Sequence, residues 1–281
     1  RDLKLSSSMP LLDLFKQHRG CSNLQDHLQS LPHPARHLLR HLSVHGAPVI
    51  LTTPQWTIAQ RDAAMHRGPH HSSWDYIDFL RDELADMVER ATWMVLPYMP
   101  GSGTYPTFAS LLSPMGVVPQ HERRPCPIVD YSFSFVNHDT APLLPSEAMQ
   151  FGRALEQTLA HVLHSNPKFG PVHFIKLDIA NGFYWVWMRL TDIPKLAVAI
   201  PNLPFEPPLV ALPLALPMGW TQSPPYFCAV TETIADMANL HLHKRRRPGP
   251  HRLDLLADSP PPDTPTFDTP VASPELSTSP F

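Results

Sequence analysis

The sequence predicts an α+β fold, with helices packed on a mixed or antiparallel sheet and a disordered, Pro-rich C-terminal tail. Three observations predict it. Between Trp74 and Ala91 the apolar residues Ile77, Leu80, Leu84, Met87 and Val88 recur at three- and four-residue spacing, with Asp82, Glu83, Asp86 and Glu89 between them. That is the period of an amphipathic helix. Short runs rich in Val, Leu and Ala, Leu196 to Ile200 and Leu209 to Leu216, are flanked by prolines and read as strands that end abruptly. From Ser259 to Phe281 seven prolines stand among Ser, Thr and Asp, a composition that buries too little apolar surface to fold.

The elements follow in order. Residues 1–70 alternate short apolar pieces with His, Pro and Ser, and only Pro34 to His45 has helical character, so this segment is expected to be weakly structured. After the Trp74 helix come Val95-Leu96-Pro97, a turn at Gly101 to Gly103, and β-like pieces at Gly116 to Val118 and Pro127 to Tyr131. Ser146 is placed to cap a helix carrying Leu155, Leu159, Val162 and Leu163, which Asn166-Pro167 should stop. Val172 to Asp178 alternates as a strand with Asp178 at its end. Ser223-Pro224-Pro225 has the polar residue and early prolines of a helix start, continued by Tyr226, Val230, Ile234 and Met237. No fixed-period repeat is present.

Composition narrows the function classes. The 281 residues admit about two domains. The 35 prolines are about one residue in eight, yet 43% of the chain is apolar, which excludes a wholly disordered protein. A formal charge of -3 excludes a uniformly cationic nucleic-acid coat and confines any polyanion contact to a local groove. Cys21, Cys126 and Cys228 are far apart and form no CxxC pair, so neither a disulfide framework nor a cysteine zinc site is expected, and a reducing intracellular compartment, cytoplasm or nucleus, is. No run approaches the roughly 18 apolar residues of a membrane helix. The start, Arg1-Asp2-Leu3-Lys4, has neither a signal peptide's apolar run nor an initiator Met, so a soluble chain cut at its beginning is expected.

The segment Lys176-Leu177-Asp178-Ile179-Ala180-Asn181-Gly182-Phe183-Tyr184 delivers one carboxylate from a strand end, followed by a glycine and an aromatic. A carboxylate there suits Mg²⁺, which prefers hard oxygen ligands and leaves room for water and phosphate. The alternative is an Asp that caps a turn. His33, His37, His41 and His45 recur every four residues and would share one helix face, either as a metal site or as the polar side of an amphipathic helix. Lys244-Arg245-Arg246-Arg247 would contact nucleic acid, serve as a nuclear address or simply be solvated linker. No hydrolase triad motif is present.

Forty residues beyond Asp178, Leu216-Pro217-Met218-Gly219-Trp220-Thr221-Gln222-Ser223-Pro224-Pro225-Tyr226-Phe227 resembles the LPxGWxxSPxxF motif of reverse transcriptases, and the Asp178 segment resembles that family's first metal-binding motif. Upstream, Ser113 to Gln120 and Arg123 to Tyr131, ending in Val136-Asn137, resemble the finger strands of retrotransposon polymerases. The resemblance covers Trp74 to Asn239. It implies a right-hand polymerase, with a fingers-like part at 71–145, a palm-like part at 146–240 and a basic, then Pro-rich linker at 241–281. The implied activity is RNA-directed DNA polymerisation, a nucleotidyl transfer aided by two metal ions, with RNA or DNA template-primer and dNTP as partners.

By position, Asp178 would hold Mg²⁺ and be catalytic, Arg123 and Arg124 would reach the triphosphate, Phe183 would stack under the incoming sugar, and Met218 and Gly219 would line the nucleotide pocket. Two departures accompany the resemblance. Cys126 stands where the family usually has Arg or Lys. No Asp-Asp pair occurs anywhere, and Asp254, Asp258, Asp263 and Asp268 lie in polar, Pro-rich sequence that cannot form the family's second metal-binding hairpin. A fragment inactive by itself is therefore expected, the alternative being a noncatalytic nucleic-acid-binding or scaffold remnant.

Overall fold

The structure, a computed structural model, describes residues 9–19, 28, 31–100, 111–142, 151–174 and 179–244. Helices α1 (Leu11–Arg19), α2 (Arg36–His45), α3 (Ile58–Arg67), α4 (His71–Asp75) and α5 (Ile77–Glu89) lead into strands β1 (Trp93–Pro97), β2 (Leu112–Gln120) and β3 (Arg123–Val129). After α6 (Val136–Asp139) and α7 (Phe151–Leu163) come β4 (Ala197–Ile200), β5 (Leu209–Pro213) and the long α8 (Ser223–His243). The chain is thus α+β, with one mixed five-stranded sheet of order β1-β5-β4-β2-β3. Among the pairings of these five strands, β4–β2 is parallel and the others are antiparallel.

The residues group into two compact units, Arg1–Leu144 with Asn181–Phe227, and Pro145–Ala180 with Cys228–Phe281. All five strands belong to the first unit. Strands from residues 71–145 and from residues 146–240 therefore share one sheet. The central strands β4 and β5 are almost wholly buried, which is why they read as unbroken apolar runs rather than as alternation. Leu80 and Leu84 of α5 are buried in the same core as Trp93, Met94 and Leu96 of β1. β3 is an edge strand, and its alternate residues Pro125 and Pro127 lack the N–H groups that an outer strand would need, so the edge resists further pairing.

Residues 1–70 differ from expectation, because the described part is built into the core. Leu14 and Phe15 of α1, Leu39 and Leu42 of α2, and Ala64 and Met65 of α3 are all buried. Helix α3 is set by a capping box, in which Thr57 Oγ1 accepts from the Gln60 N–H at 3.3 Å and Gln60 Oε1 accepts from the Thr57 N–H at 2.9 Å. The segment after α2 is tied to the 187–195 region. Ala47 N–H donates to the Trp187 carbonyl and Arg189 N–H to the Ala47 carbonyl, both at 2.8 Å. Asp192, only 5% exposed, accepts from the Val49 N–H at 3.1 Å, while Lys195 Nζ donates to the Val49 carbonyl at 2.7 Å and pairs with the Asp192 carboxylate at 2.6 Å.

The strand expected over Val172 to Asp178 is not seen at its first three residues. Residues 171–174 have no regular structure, and 175–178 lie outside the described residues. Alternation alone does not make a strand, since the backbone needs a ladder partner, and no described residue pairs with 172–174. Phe174 accordingly stands 69% exposed. The expected Trp74 helix is divided at Tyr76, whose φ of -124° and ψ of 31° separate α4 from α5. The Pro-rich tail and Arg245 to Arg247 also lie outside the described residues.

The α2 histidines are engaged singly. His37 Nε2 accepts from Arg36 Nε at 3.2 Å, and His41 faces Arg189 at 3.3 Å with the His45 ring tilted against it, centres 4.8 Å apart. Burial, then the His45 and Arg189 charges, hold the His41 imidazole below its usual range. A lowered folded value means that stability is complete above the unfolded pKa near 6.5 and falls as pH drops through the folded one. Acidification from pH 7.5 to 5.5 should therefore cost stability, by well under about 1 kcal/mol because the ring is largely solvated. Urea unfolding at the two pH values should show this loss, and His41→Gln should lessen it.

Candidate functional site

The stretch Leu216 to Phe227 forms a fixed turn leading into α8. Pro224 and Pro225 fall in the first helical turn, where no N–H partner is needed. Ser223 is fully buried, and its hydroxyl donates to the Pro217 carbonyl at 2.6 Å, holding the turn from beneath. Trp220 is 1% exposed, stacks on Tyr226 at 6.2 Å and donates from Nε1 to Thr140 Oγ1 at 3.2 Å. Burying such a ring stabilises the chain by roughly 2–3 kcal/mol. Tyr226 lies deep enough that burial, only partly offset by the Arg189 charge, pushes its phenol up to about 12.

Gly219 sits at φ +93°, and a Cβ on it would lie 2.6 Å from the Val129 carbonyl oxygen at the end of β3. The glycine is thus required by the backbone of β3, whatever else approaches it. Asn137 spans the same turn, donating from Nδ2 to the Gly219 carbonyl and accepting from the Thr221 N–H on Oδ1, both at 2.9 Å. Its amide also donates to Ser132 Oγ at 3.0 Å. Met218, beside Gly219, is 54% exposed.

The second motif-like stretch comes to the same place. Phe227 lies on Gly182 so closely that a Cβ there would meet its ring at 2.5 Å, and the Phe183 ring meets Phe227 edge-on at 5.3 Å. Phe183 is half-buried. Next to it, burial raises the Tyr184 phenol, a hydrogen bond with Trp93 opposes the shift, and the Cys126 thiol adds to it. Cys126 supplies no cation at that position.

Arg123 and Arg124 stand at the opposite end of β3. Arg124 is five positions before Val129, about 17 Å at the strand rise, so the structure does not bring these arginines to the Gly219 turn. Arg123 is exposed. The Arg124 guanidinium pairs with Glu83 of α5 and lies 5.7 Å from the Phe79 ring centre. Asp178 lies outside the described residues. Among the described residues no group of three or more His, Cys, Asp or Glu side chains is placed to hold an ion.

Of the expected site residues, then, Phe183, Met218 and Gly219 belong to one neighbourhood, through Phe227 and the Leu216 to Phe227 turn. Sequence reasoning gave no role to Asn137, although it closed the upstream motif, nor to Thr140 and Tyr131. Tyr131 is wholly buried and donates from its hydroxyl to the Leu196 carbonyl at 3.2 Å. Compared with models of known families and with curated proteins, the chain matches none. No helix among the described residues is long and apolar enough to cross a membrane.

Proposed function

We propose that the chain is the fingers and palm portion of a retroelement RNA-directed DNA polymerase, able to bind template-primer and dNTP but inactive by itself. The observation that carries this is the seating of Phe227 on Gly182 with Phe183 at its edge. Two stretches about forty residues apart, each resembling a motif that in the family forms one nucleotide pocket, lie against one another here. The fixed Gly219 turn adds to it, because a pocket wall must keep its shape before substrate arrives. Asp178 is proposed as the remaining Mg²⁺ ligand. The chain has no Asp-Asp pair to complement it, which is the ground for inactivity.

Template-primer binding is the first test. Fluorescence anisotropy with an RNA-DNA hybrid should give an affinity that falls steeply with salt, since phosphate contacts release counterions. Arg123→Gln should lessen the slope by about one contact. Absence of binding even at low salt would remove both the polymerase proposal and the noncatalytic nucleic-acid-binding alternative.

A further inference from the structure

We propose that Glu83 and Phe79 of α5 form a latch on Arg124, one that an oligophosphate ligand must displace before the β2–β3 hairpin can hold it. The inference rests on the proposed dNTP binding, and it adds a contact that restrains one of the hairpin arginines, which stand apart from the Gly219 turn. Successive strand residues face opposite ways. Arg124 therefore turns toward α5, where it pairs with Glu83 and covers Phe79, while Arg123 turns away and is exposed.

The pair is unequal. The Arg124 side chain is 69% exposed, whereas the Glu83 side chain is 14% exposed. A carboxylate so enclosed is poorly hydrated once its cation leaves, so the pair favours the closed hairpin. Yet the guanidinium remains open to solvent on its other side, where an incoming phosphate could compete for it bidentately. The hairpin's turn is two residues long, His121-Glu122, with Glu122 at φ +55°, and the β2–β3 register shifts between Val118 and Gln120, an irregularity that bends strands. Facing the guanidinium are the Glu83 carboxylate and the Phe79 ring, both from α5. A ligand that binds only the released arginine has its apparent affinity lowered by the released fraction, so removing Glu83 should raise it.

The test uses the full chain and inorganic tripolyphosphate, titrated calorimetrically at low salt. Glu83→Gln should bind at least fivefold more tightly than the native chain, and adding Arg124→Gln should abolish the gain. Asp82→Asn removes the same charge from the neighbouring exposed position and should give a markedly smaller gain. Equal affinity in native and Glu83→Gln chains, a gain that survives loss of Arg124, a matching gain in Asp82→Asn, or no binding in any of them overturns the latch. Hydrogen exchange gives a readout that needs no ligand: Glu83→Gln should speed exchange of the 120–124 amides and leave β4 and β5 protected, and unchanged exchange at 120–124 overturns the latch as well. Tripolyphosphate binding requires neither template nor Asp178. Failure of the latch is therefore distinct from failure of the polymerase proposal, which is read by nucleotide incorporation.

Discussion

Gly219→Ala should destabilise the chain by about 2–5 kcal/mol, more than a helix-flanking glycine-to-alanine change elsewhere in the same unit. Two costs add. A left-handed backbone costs a residue with a Cβ roughly 1–2 kcal/mol, and at Gly219 φ is +93°. The Cβ would also lie 2.6 Å from the Val129 carbonyl oxygen, which belongs to backbone and cannot rotate away. Overpacking of that kind costs about 1–3 kcal/mol. Gly68→Ala separates the two, because Gly68 has φ +72° but its nearest neighbour to an added Cβ is 3.9 Å away. It should incur only the conformational cost. Urea unfolding of both variants checks the difference, and equal losses would mean that Gly219 is not held by β3. A glycine kept solely for nucleotide approach would instead lose ligand affinity with stability unchanged.

Asp192→Ala should cost about 3–5 kcal/mol, the range for removing one partner of a buried ion pair. The carboxylate is 5% exposed, holds the Lys195 ammonium at 2.6 Å and accepts from the Val49 N–H at 3.1 Å. Its removal leaves a buried amide unpartnered and a cation without its counter-charge. Because the Lys195 side chain is 25% exposed, water can hydrate it in part, which sets the expected loss at the lower end. Asp192→Asn keeps an acceptor for Val49 but not the charge, so it should recover some of the loss. Denaturant titration of the three chains decides. A negligible cost in Asp192→Ala would show that residues 46–50 are not anchored through this carboxylate.

What could be read in advance depended on range. Helix α5, β5 and α8 carry their own signals, an apolar stripe, a proline-bounded apolar run and an early pair of prolines, and each forms close to where those signals place it. Helix α3 also carried a local signal, Thr57 with Gln60 three residues on, which the His- and Pro-rich composition of residues 1–70 masked. At 172–174 the alternation has no partner among the described residues, and pairing is a property of two segments. Site features with distant partners were the least legible. Gly219 is constrained by Val129, Arg124 is held by Glu83, and Asn137 spans the turn at 219–221. No spacing within a short window encodes such contacts.

Primer extension tests the central proposal most directly. On a homopolymer template with a DNA primer, dNTP and Mg²⁺, the chain alone should incorporate nothing. Fusing an Asp-Asp hairpin and thumb from an active reverse transcriptase after α8 should restore incorporation, and Asp178→Asn in that fusion should abolish it. Incorporation by the chain alone, or a folded fusion that stays inactive, would contradict the proposal.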